Sequence, residues 1–245
     1  MHIAMKLLLI AGMGESVDLA QSLSTLPGIE VVAVTEGRAV ARAKPPVRVH
    51  EGGFHDDRAF ADFLRQEAFD LVIDAAHPFQ FSLGRVARAT GQGYLRASRD
   101  LWPENPGYIL RPTLADVVAC LPHDAHVFAV TGRGSLAAFE NRPDVTVHCR
   151  QLTRHDDPFP LPLGGFVFGA GPFSVEDEIA TFQALGITHL VLRNGGSVMG
   201  HSKLAAAARV GVQVAMITAP RWNIPADAQM SFADILKQVK SYASH

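Results

Sequence analysis

Phe69-Asp70-Leu71-Val72-Ile73-Asp74-Ala75-Ala76-His77-Pro78-Phe79 is the stretch whose reading decides the fold. Phe69 to Ile73 is an apolar run of the kind shown by a parallel strand buried on both faces. The strand should end at Asp74, and His77 and Pro78 should open the loop beyond its carboxyl end. Ligands bind at that place in open α/β sheets. A carboxylate, an imidazole and a ring-stiffened turn side by side there point to a site. The plain alternative is a capped turn, with Asp74 capping the next helix and His77 solvated.

The pattern repeats outward in both directions. Ile3 to Ile10 is a hydrophobic run, and residues 15–25 then show helical spacing. Val31 to Val34 and Val47 to Val49 read as strands. Residues 57–67 place Phe60, Phe63 and Leu64 on one helical face. A helix over about 80–91 and a short strand at Tyr94 to Arg96 follow. Strands spaced by helices mean βαβ units and a parallel sheet. Asp100 to Gly107, with two prolines and a glycine, breaks the rhythm and reads as a linker.

Alternation then resumes. Helices are expected over Thr113 to Leu121, Gly134 to Glu140, Ser174 to Leu185, 201–210 and 231–243. Strands are expected at Val127 to Val130, Val145 to Cys149, Gly165 to Gly169, Leu190 to Leu192 and Val212 to Ile217. Ser174 and Asp177 form a capping box in its Asp form. The fold class is α/β: two Rossmann-like, doubly wound parallel-sheet domains with a cleft between them. The expected boundaries are 1–98 for the first domain, 99–112 for the linker and 113–245 for the second. The last helix, 231–243, is left free to pack back on the first domain.

The bulk numbers fit this picture. The chain has 245 residues, 48% of them hydrophobic and 19% charged, enough apolar material for a real core. A net charge of −2 gives no global basic field for nucleic acid. No apolar run reaches membrane-span length. The chain enters its first strand with no signal-peptide pattern, so a cytoplasmic protein is expected. Cys120 and Cys149 have no metal spacing and read as reduced core residues. His50, His55, His123, His126, His148, His155 and His245 read as surface residues, and no metal site is expected.

Several loops carry chemistry. Ala11-Gly12-Met13-Gly14-Glu15 joins the first strand to the first helix, where small residues let a phosphate reach the helix N-terminus. A third glycine of the dinucleotide fingerprint is missing, since Val17 occupies its place. A tight strand–helix turn explains the loop equally well. Gly37-Arg38 follows the second strand, where an arginine accommodates a 2′-phosphate and favours NADPH over NADH. A solvated loop arginine is the alternative. Thr131-Gly132-Arg133-Gly134, Gly169-Ala170-Gly171-Pro172-Phe173 and Arg193-Asn194-Gly195-Gly196-Ser197 are donor-rich loops at successive strand ends of the second half. Lys203 is expected at the start of the helix after the third loop, within reach of the same rim or solvated.

Together these segments resemble the precorrin-6A reductase family of cobalamin biosynthesis. The resemblance rests on the loop at 11–15, Gly52-Gly53-Phe54, Asp74 to Phe79, and Arg96, Arg99 and Trp102. It continues through Thr131-Gly132-Arg133, Gly171-Pro172-Phe173 with Glu176-Asp177-Glu178, and Lys203-Leu204, in order from residue 3 to about 220. Met13 stands where the family has Thr, and Arg193 and Gly195 stand in place of Lys and Ser.

The resemblance implies NADPH-dependent reduction of one macrocycle double bond, precorrin-6A giving precorrin-6B, with cofactor and polycarboxylate corrin precursor between the domains. It implies cofactor binding by Gly12, Met13, Gly14, Glu15, Ser16, Arg38, Gly53, Phe54, His77, Pro78 and Phe79. Thr131, Gly132, Arg133, Gly171, Pro172, Phe173, Arg193, Asn194, Gly195 and Lys203 would bind substrate. Lys203, His77 and Asp74 would be catalytic, with Lys203 a better proton donor than Arg193 because guanidinium does not deprotonate in proteins. The alternatives are a reductase of the cobalt-containing macrocycle, or a non-catalytic two-lobed protein that binds an anionic ligand.

Overall fold

Alternate residues of the first strand go to opposite faces of the sheet, and both faces are buried. In the computed structural model, which describes residues 5–35 and 46–243, β1 (Met5–Ala11) sends Leu7 and Leu9 to one core and Leu8 and Ile10 to another. This double burial is why the strand reads as a continuous apolar run. The first core includes Leu19 and Leu23 of α1 (Gly14–Ser24) and Ile235 and Val239 of α7 (Phe232–Ala243). The second includes Phe60 and Leu64 of α2 (Asp57–Glu67) and Val86 and Ala87 of α3 (Ser82–Ala89).

The chain divides into two units, residues 1–99 with 221–245, and residues 100–220. The remaining strands of the first unit are β2 (Ile29–Thr35), β3 (Arg48–Val49), β4 (Leu71–Ala75), β5 (Gly93–Ser98) and β12 (Gln229–Ser231). They form one parallel sheet in the order β12-β5-β4-β1-β2-β3. The second unit holds β6 (Ile109–Arg111), β7 (His126–Ala129), β8 (Thr146–Gln151), β9 (Gly164–Phe168), β10 (His189–Arg193) and β11 (Gln213–Ile217). Its sheet, also parallel, runs β6-β11-β10-β7-β8-β9. Its helices are α4 (Leu114–Ala119), α5 (Val175–Ala184) and α6 (Val198–Val210), with a 3-10 segment over Arg133–Phe139.

The two sheets share one strand order, and each takes its sixth strand from outside the run that builds the other five. The chain leaves β5 and places β6 in the second sheet, whereas β12 comes back from the far end of the chain to pair with β5. The contacts therefore differ from the boundaries expected from sequence in two places. Part of the expected linker is an edge strand of the second sheet. Residues 221–230 belong with the first unit rather than the second, and the last helix packs there too, as its reading allowed, with Ile235 and Val239 fully buried. Burying each such side chain contributes roughly 1.5–3 kcal/mol.

The helix predicted at 201–210 begins earlier, at Val198, so Lys203 lies in its second turn. Cys120 is exposed at the end of α4, contrary to its reading as a core residue, whereas Cys149 is buried. Burial pushes the Cys149 thiol up. No helix among the described residues is long and apolar enough to cross a membrane.

Lys6 on β1, Glu67 at the end of α2 and Arg48 on β3 form a partly exposed cluster. Lys6 Nζ lies 2.6 Å and Arg48 2.8 Å from the Glu67 carboxylate. The hydrogen bond from Arg48, then that from Lys6, holds the Glu67 carboxyl down to about 2 from 4.5. A depressed carboxyl stabilises the fold above its ordinary value and loses that contribution as pH falls toward the folded value. Glu67→Gln should flatten the acid limb of the stability curve between pH 4.5 and about 2. The difference should stay within the roughly 0.2–1 kcal/mol of an exposed pair. Urea unfolding at pH 3 and pH 6 checks it; parallel wild-type and variant curves would refute it.

Candidate active site

Strand order reverses between β1 and β4 in the first sheet and between β7 and β10 in the second. Such switch points open a crevice at the carboxyl ends of the strands. In the first unit, two segments meet there: Gly12-Met13 before α1, and Ala76 to Phe81 before α3. Gly12 N–H donates to Ala75 O at 3.1 Å. A Cβ on Gly12 would lie 2.8 Å from His77 N and 2.9 Å from Ala76 Cα. Only glycine permits this backbone approach.

Met13 is the N-cap of α1 and offers no side-chain cap. The space beside Gly14 is open. Backbone N–H groups of an uncapped helix start favour an anion. Glu15 in this first turn is ion-paired at 2.6 Å with Arg99, so its charge is offset beside the cradle. These features fit a dinucleotide pyrophosphate. Ser16 is fully buried and donates to Met13 O, bracing the turn.

The second segment is held from below. Asp74 is fully buried in β4, and Arg96 on β5 is 5% exposed. Arg96 donates to Asp74 Oδ2 at 2.5 Å and to the carbonyls of Ala76, His77 and Gln80 at 3.4, 3.2 and 3.1 Å. Asp74 also accepts from Tyr94 at 2.6 Å and from Ala76 N–H at 3.0 Å. Burial, with the adjacent Asp74 charge, pushes the Tyr94 hydroxyl far up. From the other side, Trp222 donates its indole N–H to Pro78 O at 2.9 Å and stacks on Phe81. His77 Nδ1 accepts from Phe79 N–H at 3.3 Å. The loop's backbone is thus fastened at four carbonyls, and the half-buried His77 and Phe79 rings lie 5.8 Å apart.

In the second unit, Arg193 donates to Thr131 O at 2.7 Å. Burial pushes the Arg193 guanidinium down. Thr131 and Ser135 share a 2.6 Å hydroxyl contact, and Arg133 is ion-paired with Asp157. Asn194 is buried and clamps Trp102 at two points, accepting from its N–H and donating to its carbonyl, both at 2.9 Å. Ser197 caps α6, and Ser174 with Asp177 closes the capping box on α5. Glu178 of α5, fully buried, faces two cations: Arg150 of β8 at 3.0 Å and Lys203 of α6 at 2.9 Å. Both lie against the Phe173 ring, at 4.1 and 5.4 Å from its centroid. No group of three or more His, Cys, Asp or Glu among the described residues could hold a metal ion.

A family model described as precorrin-6x reductase CbiJ/CobK matches residues 6–240. The chain belongs to this family. Precorrin-6A reductase of Rhodobacter capsulatus is 33% identical, with 88% of each chain covered. That of Mycobacterium tuberculosis is 34% identical, covering 88% of this chain and 89% of the relative. Cobalt-precorrin-6A reductase of Priestia megaterium is 26% identical over 88% and 91%. The solved structure of CobK precorrin-6A reductase matches with a TM-score of 0.83 at 29% identity over 97% of each chain.

Within this fold, the residues singled out from sequence fall into distinct settings. Gly12, Met13, Gly14, Glu15, His77, Pro78 and Phe79 share one rim of the first unit. Asp74 lies inside the sheet and acts on the rim through Arg96. Gly53 is exposed, while Phe54 packs with Phe60 and Phe63 and stacks on His50 at 4.7 Å, an aromatic cluster beside the second core. His50 and His155, read from sequence as surface residues, are partly buried among phenylalanines. Arg38 lies outside the described residues. In the second unit, Gly132 and Pro172 are exposed, Gly171 is half-buried and Gly195 buried. Arg133 is paired with Asp157, Lys203 shares Glu178 with Arg150, and Arg193 donates to the Thr131 carbonyl. Sequence reasoning assigned no role to Arg150 or Trp222, and cited Arg96 and Glu178 only as family matches.

Proposed function

We propose that this protein reduces precorrin-6A to precorrin-6B in cobalamin biosynthesis, with NADPH as reductant, in the cytoplasm. The observation that carries the reading is the family match over residues 6–240, which spans both sheets. The uncapped start of α1, with open space at Gly14, supports a dinucleotide phosphate there. Bound at that rim, NADPH would supply a hydride to one carbon of the macrocycle double bond and leave as NADP⁺. The chain's own contribution is to hold and orient. Gly12 to Ser16 receive the pyrophosphate and Arg38 the 2′-phosphate, and Gly53 and Phe54 complete the cofactor side as the family resemblance implies. His77, Pro78 and Phe79 flank the nicotinamide on a loop that Asp74 fixes through Arg96. Thr131, Gly132, Arg133, Gly171, Pro172, Phe173, Arg193, Asn194 and Gly195 form the substrate side. Lys203 there either anchors a macrocycle carboxylate or delivers the proton to the adjacent carbon.

The test is anaerobic incubation with precorrin-6A and NADPH, followed by mass spectrometry. A gain of two hydrogens matched by NADPH oxidation is expected. Turnover of only the cobalt-containing macrocycle would replace the substrate. Binding without NADPH consumption would make this a binding protein. Arg38→Ala should raise KM for NADPH roughly tenfold or more, the worth of a charge-assisted contact, and leave KM for NADH nearly unchanged. Equal losses for both cofactors would remove Arg38 from the 2′-phosphate site.

A further inference from the structure

Arg150 and Lys203 bring two positive charges to one buried carboxylate. Arg150, Lys203 and Glu178 are 7%, 9% and 0% exposed, so the cluster carries a net charge of +1 away from water. An excess buried charge is unfavourable unless something compensates it. Part of the compensation is aromatic. The Arg150 guanidinium lies between the rings of Phe128, at 4.9 Å, and Phe173, at 4.1 Å. Electron-rich ring faces attract a cation more weakly than a carboxylate hydrogen-bonded to it. Arg150 gives NH2 to Glu178, and its buried Nε has no hydrogen-bond partner.

We infer that Arg150 and Lys203 form a subsite for one carboxylate side chain of the macrocycle, with Glu178 as the positioning residue that holds both cations. The inference rests on the function proposed above and assigns Lys203 the anchoring role. Arginine suits the task because its planar fork can serve Glu178 with one N–H and a second carboxylate through Nε. Phe173 covers the subsite from the loop between β9 and α5. An incoming carboxylate exchanges the ring face for charge-assisted hydrogen bonds. Gly169 makes the arrangement possible, since a Cβ there would lie 3.0 Å from the Phe173 ring and 3.2 Å from Arg150 NH1.

Charge counting gives a test that a merely structural cluster would fail. Arg150→Met lowers the net charge to zero, and adding Glu178→Gln restores +1 through Lys203. Steady-state reduction of precorrin-6A by NADPH is measured for wild type, Arg150→Met, the double variant and Lys203→Met. Arg150→Met should raise KM for precorrin-6A by roughly tenfold to a hundredfold, the worth of a charged hydrogen bond, with KM for NADPH unchanged. The double variant should recover part of that loss. Lys203→Met should raise KM and keep kcat.

An unchanged KM in Arg150→Met, or a double variant worse than the single one with its near-ultraviolet circular dichroism intact, would overturn the subsite. So would a Lys203→Met enzyme that lost kcat alone, which would make Lys203 the proton donor. If Arg150→Met does not fold, Arg150→Lys keeps the charge and removes the Nε edge. An intermediate KM supports the subsite and a wild-type KM overturns it. A wild-type protein without turnover would overturn the proposed function and the subsite with it. Turnover with unchanged variant KM would overturn the subsite alone.

Discussion

Asp74→Ala should lower the stability of the first unit by about 3–5 kcal/mol, the cost of leaving one partner of a buried ion pair uncompensated. Arg96 would keep its charge among the carbonyls of Ala76, His77 and Gln80 but lose the only carboxylate within reach among the described residues. Tyr94 would lose its acceptor as well. Asp74→Asn, which keeps the shape and one acceptor, should cost less. Urea unfolding followed through Trp222, stacked on Phe81 beside the same loop, reads the effect. A loss below about 1 kcal/mol, the level of a surface pair, would mean that Arg96 finds water and that the pair does not fix the loop. Because Asp74 is fully buried, it acts on chemistry only through the loop that Arg96 ties down. NADPH binding should therefore weaken together with stability in both variants.

The strand that carries Asp74 was legible because a parallel strand buried on both faces needs apolar residues at nearly every position. The same holds for β1, β7 and β10. The helices between them were legible from their spacing, and α5 from its capping box. The edge strands β6 and β12 were not. Each has three residues, too few to show any period, and each pairs with a strand more than 100 residues away in the chain, as in Ala215 with Ile109. The rims of the site could be placed from strand ends, but the partners of their side chains could not. Asn194 reads as a loop donor and clamps Trp102, 92 residues earlier. Glu178 reads as one more acid in a first helical turn, beside Glu176 and Asp177. Of the three, only Glu178 faces inward to Arg150 and Lys203, and that depends on how α5 lies on its sheet.

Gly12→Ala is the substitution expected to do most to function. The added Cβ would meet His77 N at 2.8 Å and Ala76 Cα at 2.9 Å. Both are backbone atoms of a loop fastened by Arg96 and Trp222, so neither can rotate away as a side chain would. Either the start of α1 or the His77 loop must shift. Overpacking of this kind costs roughly 1–3 kcal/mol in stability. The functional loss should be larger, because the two segments that would hold phosphate and nicotinamide are the two forced apart. Misplacement by about 1 Å costs on the order of a hundredfold in rate. Gly14→Ala, two positions on, is the control for stability, since nothing lies within 4 Å of its Cβ. Urea unfolding should show the loss in Gly12→Ala and near wild-type stability in Gly14→Ala, and turnover should collapse in Gly12→Ala. Equal stability of the two variants would show that the contact between the Gly12 turn and the His77 loop does not set the geometry of the rim.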